Sequence, residues 1–233
     1  MNHDHKVTTS EHLPGSDHQH QGGPTRTFSA EFLETNKTYY LAIEDYDWVD
    51  ASDNWRGLEA LFHKLRERKV RQLVKRFSRS GLHLDAGCGT AMNSRHLPPG
   101  SIGIDINPRN LPRARRWAPQ GRFLHGDLEA LPFPDSSFST ILCTEVLEHF
   151  PVPQLPLSEL LRVLQPNGRL IGSVPATSWI WHLRFLSSTC PHAEPFHNNF
   201  EEAEIRNLLQ GLRIVTLERS CFSMSWMFVA ERP

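Results

Sequence analysis

The stretch HLDAGCGTA at residues 83–91 limits what this chain can fold into more than any other. An apolar run over residues 82–86 carries a carboxylate at Asp85 and is followed at once by Gly87 and Gly89, the pattern of a strand turning sharply toward a helix. Further strand-like runs follow at 101–106, 122–125, 138–144 and 169–174. A helical pattern at 156–164, stopped by Pro166-Asn167-Gly168, separates the last two. Strands alternating with helices predict an α/β fold with a mostly parallel sheet and helices on both faces. Two runs near the end, 212–217 and 223–230, predict a closing antiparallel hairpin.

A glycine turn after a strand suits a nucleotide, and Asp105, near the end of the next strand, suits the two hydroxyls of a ribose. The third glycine of a dinucleotide fingerprint would fall at position 92, which is Met92, so a diphosphate cofactor is disfavoured. Asp85 has two readings. Its carboxylate either meets a cationic amino-acid moiety or ties down loop amides. Asp127, after the third strand, either accepts from an exocyclic amine or caps a turn.

The 233 residues fit one domain plus a front extension: a His-rich polar tail over 1–28, a helical cap over 29–80 and the α/β domain over 81–233. With 25 basic and 26 acidic side chains the formal charge is −1, which gives no reason to expect nucleic acid as a partner. Cys88, Cys143, Cys190 and Cys221 lie far apart, without zinc or disulfide spacing. No apolar run reaches the roughly 20 residues of a membrane span, and the composition predicts a cytoplasmic protein. Within the front, residues 64–79 carry Lys64, Arg66, Arg68, Lys69, Arg71, Lys75, Arg76 and Arg79 against one acid, Glu67. Such a helix presents a solvated polar face, or a patch for an anionic substrate or membrane surface.

Four segments in order, LDAGCGT, GIDIN at 103–107, GDLEALPFPDSSFSTILCTEVLEH at 126–149 and RVLQPNGRLIGSVP at 162–175, resemble the class I S-adenosylmethionine-dependent methyltransferases. The similarity is to the group that includes ubiquinone and menaquinone biosynthesis enzymes. It implies a Rossmann-like seven-stranded sheet and S-adenosyl-L-methionine as cofactor. Residue by residue, it implies that Asp85, Ala86, Gly87, Cys88 and Gly89 line the methionine end and Asp105 with Ile106 the ribose. Asp127 and Leu128 would bracket adenine, and Thr144 and Glu145 would face the sulfonium. Ala91 and Asn167 stand where that family commonly has glycine; both are small or turn-compatible.

Methyl transfer to a hydroxyl profits from a base, and His149 and His197 are the candidates. On one helical turn Glu145, Glu148 and His149 would share a face and, with His197, would form a divalent-metal ligand set. That pattern is similar to small-RNA 2′-O-methyltransferases and some ubiquinone O-methyltransferases. The favoured reading is a small-molecule methyltransferase without a metal. The alternatives are a metal-assisted O-methyltransferase of RNA or of a catechol-like metabolite, and a catalytically inactive binding module. Aromatic residues at 28–56, and Trp179, Trp181, His182, Phe185, His192 and Phe196, are expected to cover the acceptor pocket.

Overall fold

The computed structural model describes residues 28–43, 47–55, 59–178 and 195–233. The His-rich tail, Tyr46, Cys190 and the stretch with Trp179, Trp181, His182, Phe185 and His192 lie outside the described residues. Seven strands, β1 His83–Ala86, β2 Ile102–Asp105, β3 Arg122–His125, β4 Phe138–Thr144, β5 Leu164–Pro175, β6 Arg213–Ser220 and β7 Ser225–Glu231, form one sheet in the order β3-β2-β1-β4-β5-β7-β6. The first five run parallel, and β7 lies antiparallel between β5 and β6. The α/β sheet with a closing antiparallel hairpin is therefore as the sequence predicts.

Strand periodicity assigns the two faces. Leu84, Ala86, Ile141, Cys143, Leu170, Phe228 and Ala230 share one buried cluster, which includes Leu157, Leu160 and Val163 of α5 (Gln154–Val163) and Ile205 and Leu208 of α6 (Glu202–Leu208). The residues between them, Leu142, Ile171, Met227 and Val229, pack on the opposite face against Val70, Leu73 and Val74 of α3 (Glu59–Phe77). Successive side chains on a strand point to opposite faces, so near-continuous apolar runs are what a sheet covered on both sides requires. Helix α4 (Asn110–Trp117) adds Leu111 and Ala114 to Cys88, Ala91 and Phe123 beside the glycine turn.

Helices α1 (Ala30–Ala42) and α2 (Trp48–Asp53) have a different basis. Both begin on side-chain caps, Ser29 accepting from the Phe32 N–H and Asp47 from the Val49 and Asp50 N–H groups. Within α1 Asn36 is the buried residue, so apolar burial does not anchor that helix.

Three details differ from the sequence reading. The chain after Gly89 does not enter an α-helix; it makes only a 3-10 turn, Ser94–His96. Side chains there bond elsewhere, Ser94 Oγ to Asp85 and Asn93 Nδ2 to Thr144 Oγ1 at 2.8 Å, and Pro98-Pro99 lies directly beyond. Strand β5 starts at Leu164 and runs through Pro166-Asn167-Gly168, since α5 already ends at Val163. Ala91 and Asn167 both sit in left-handed backbone, at φ 74° and 60°. Asn tolerates that region, whereas Ala pays about 1 kcal/mol for it.

Candidate active site

The carboxyl ends of β1, β2 and β3 bring three acids into neighbouring strands. Asp85 lies within β1, Asp105 ends β2, and Asp127 follows β3 by two residues. The glycine turn is held against them. Gly87 and Cys88 donate their N–H groups to the Ile104 carbonyl at 2.8 and 3.0 Å, and Gly89 donates to Asp105 Oδ2 at 2.7 Å. Gly87, at φ 72°, has no room for a side chain: a Cβ there would stand 2.5 Å from Val146 Cγ2. Cys88 packs in the apolar cluster of α4 with its thiol donating to the Gly89 carbonyl at 3.8 Å, and Ala86 is fully buried.

Each acid has its own environment. Burial pushes the Asp85 carboxyl up to about 6, against a lowering hydrogen bond from Ser94, with the neighbouring Asp105 adding to the rise. Asp105 is also raised by burial, although Asn107 N–H and Asn110 Nδ2 donate to its Oδ1 at 2.8 and 3.1 Å. Asp127 is more open. Its Oδ1 accepts from Glu129 N–H at 3.0 Å, which is the turn-capping role, and its Oδ2 is ion-paired to Lys37 of α1. Leu128 is buried in the main core, and Ile106 offers its carbonyl to His125.

At the ends of β4 and β5 the expected helical turn through Glu145, Glu148 and His149 is not formed. Glu145 sits at φ 53° before a 3-10 turn of Leu147–His149, so the three do not share a helical face. Its carboxylate accepts from Ser173 Oγ at 2.7 Å and lies 3.3 Å from the Arg66 guanidinium of α3. Among the described residues no three metal-type side chains converge. His149 and His197 do meet, their rings 5.6 Å apart and edge to face.

The helical front closes over this edge. Trp48 stands beside Gly89, where a Cβ would be 3.5 Å from its Cδ1. Asn36 Nδ2 donates to the His149 carbonyl at 2.9 Å, and Asn107 Nδ2 to the Ile43 carbonyl at 2.8 Å. Tyr40 Oη is 2.8 Å from His149 Nδ1 and also donates to the Phe196 carbonyl at 3.1 Å. Phe28, Phe32 and Phe196 form an aromatic group beside it, with centroids 5.4 to 6.3 Å apart. Sequence reasoning missed Asn36, Lys37 and Tyr40 as individuals; the aromatic spacing of the front was the signal available for Tyr40.

Residues 84–172 match a family model described as a methyltransferase domain. The chain is 37% identical over 132 residues to a 2-methyl-6-phytyl-1,4-hydroquinone methyltransferase of Synechocystis, covering 54% of this chain and 36% of that protein. It is 26% identical over 172 residues to a mitochondrial ubiquinone biosynthesis O-methyltransferase of Schizosaccharomyces pombe, covering 64% and 61%. The chain thus spans between about a third and three-fifths of the length of these curated relatives. In fold it is similar to a 1,6-didemethyltoxoflavin-N1-methyltransferase of Burkholderia thailandensis, with a TM-score of 0.63, 20% identity and coverage of 89% of this chain and 92% of the other. Sheet order, glycine turn and matched segment agree: residues 84–172 match the methyltransferase-domain family, in its class I, S-adenosylmethionine-dependent form.

Proposed function

We propose that this protein transfers a methyl group from S-adenosylmethionine to a small-molecule acceptor, and that the acceptor is a ring hydroxyl of the hydroquinone kind. The observation that carries the cofactor half is the row of carboxylates Asp85, Asp105 and Asp127 at the carboxyl ends of adjacent strands. Three acids in series repel a diphosphate but suit a ligand that is cationic at one end and carries a diol and an amine. Asp85, held partly protonated by burial, gains its charge when an ammonium sits beside it. Asp105 keeps the turn fixed while offering remaining lone pairs to ribose hydroxyls. Asp127 offers the adenine amine the oxygen that Lys37 now engages.

Bound S-adenosylmethionine supplies a methyl carbon activated by positive sulfur. The chain's task is then to orient the acceptor, exclude water and take a proton. Tyr40 has one proton, and the Phe196 carbonyl can only accept it, so the Tyr40 oxygen accepts from His149 Nδ1–H. That tautomer makes His149 Nε2 the basic atom of the ring. Phe28, Phe32 and Phe196 supply flat apolar surface for a ring. The hydroquinone relative supports the ring class of the acceptor, and the ubiquinone biosynthesis O-methyltransferase supports oxygen as the methylated atom.

Incubating the full chain with S-adenosylmethionine and a reduced short-chain quinol tests this reading. Formation of S-adenosylhomocysteine and a methylated quinol is expected, with loss of turnover in His149→Ala at unchanged cofactor affinity. Cofactor binding without turnover on any hydroxyl acceptor would instead fit a regulatory module and overturn the catalytic half.

A further inference from the structure

We propose that the outer face of α3 docks the protein onto a bilayer surface bearing anionic lipids. The helix is sharply two-sided. Val70, Leu73 and Val74 are buried against the sheet, while Arg68, Arg71, Lys75 and Arg76 are exposed. Steps of three, four and eight residues put those four cations on one side, over about 12 Å of helix.

The helix's other cations are already occupied. Arg66 meets Glu145, Lys69 meets Glu218 at 2.9 Å, and Lys64 lies 4.1 Å from the Trp55 ring centroid. Arg79, just past the helix end, pairs with Glu231 at 2.8 Å. Glu67 turns inward: burial opposes its charge, yet hydrogen bonds from His96 and Arg95 hold its carboxyl below the usual range. Among the described residues none of Arg68, Arg71, Lys75 and Arg76 has an ion pair, and Arg76 lies 4.9 Å from the centroid of the neighbouring Phe77 ring. A chain of net charge −1 has concentrated positive charge on one strip.

Apolar side chains decide between the anionic partners. Leu61, seven residues before Arg68 and so on the same face, is 44% exposed, and Trp55, whose ring lies under Lys64 one turn on from Leu61, is 60% exposed. A strip of cations ending in an exposed Trp and Leu matches a bilayer, whose phosphates take the cations and whose headgroup layer takes the aromatic ring. A nucleic-acid backbone gives Leu61 nothing to pack on. The apolar end also adjoins α2, whose Trp48 stands at the glycine turn, so docking sets the crevice next to the lipid.

Co-sedimentation of the full chain with vesicles of equimolar phosphatidylglycerol and phosphatidylcholine, and with phosphatidylcholine alone, tests the surface. Sedimentation with the anionic vesicles alone, weakening as salt rises, is expected. Replacing Arg68, Arg71, Lys75 and Arg76 together by Gln should weaken it at least about a hundredfold, with an unchanged melting curve because all four are exposed. Trp55→Ser with Leu61→Ser should weaken it about tenfold without altering its salt dependence. No sedimentation at low salt, equal sedimentation with neutral vesicles, or undiminished binding by the quadruple variant would overturn the proposal. So would binding of the same strip to single-stranded RNA with vesicles ignored. The readout needs no methyl transfer, so it stands or falls apart from the reading of the active site.

Discussion

The two walls of the crevice are built on different principles. At β1 to β3 the acids and the glycine turn are fixed by backbone: Gly87, Cys88 and Gly89 N–H groups end on residues of the next strand, inside a closed ladder. Opposite them, α1 is attached largely by side chains, through Asn36, Tyr40 and the partly exposed pair of Lys37 with Asp127. Ion pairs at that exposure contribute at most about 1 kcal/mol. One wall is rigid because the sheet cannot form without it. The other can loosen locally at small cost, which suits the side from which ligands must enter.

Damage to the two walls should therefore read out differently. The largest effect belongs to Gly87→Ala, which combines a strained φ with a contact 2.5 Å from Val146. It should cost about 2 to 4 kcal/mol and lower Tm by about 10 °C in a thermal melt. Next comes Asp105→Ala, which leaves the Gly89 and Asn107 N–H groups without their charged acceptor. Calorimetry should show cofactor affinity reduced about a hundredfold.

Asp85 gives the same wall a pH signature. Its folded value of about 6 exceeds its ordinary 3.8, so the stability it contributes to the empty protein is fully present below 3.8 and is lost as pH rises through 6. A cationic ligand prefers the ionised form. Cofactor affinity should thus fall by up to about tenfold per pH unit below 6 and level off above it, in titrations at fixed ionic strength.

The opposite wall should respond to Tyr40→Phe with only about 1 kcal/mol of stability lost and cofactor affinity unchanged within about twofold. Turnover against pH should nevertheless shift, because His149 loses the oxygen that fixes its tautomer. A pH profile identical to that of the unaltered protein would remove Tyr40 from the chemistry. The smallest change is Ala91→Gly, which relieves a φ of 74° and should raise Tm by about 2 °C.

The same contrast explains what could be read from the sequence. The wall at β1 to β3 is encoded locally: a strand, an acid and a glycine turn within residues 83–91, then Asp105 and Asp127 at the following strand ends. Face assignment was legible too, since apolar runs alternate between two clusters. Contacts made across the fold were not. Tyr40 reaches His149 over 109 residues, Asn36 over 113, and Arg66 pairs with Glu145, a member of the ligand set that spacing suggested. The 3-10 turn at Ser94–His96 escaped because its cause is Asp85 drawing Ser94 inward, a tertiary bond that helix propensity does not contain. Gly172 was equally silent in the sequence, yet a Cβ there would run into the Phe228 ring.

The most direct test of the carboxylate row is isothermal titration of the full chain with S-adenosylmethionine and, separately, with NAD at neutral pH. Saturable one-to-one binding of S-adenosylmethionine, weakened in Asp127→Ala, with no heat from NAD, is the predicted result. Binding of NAD in preference, or S-adenosylmethionine affinity indifferent to Asp105 and Asp127, would contradict it.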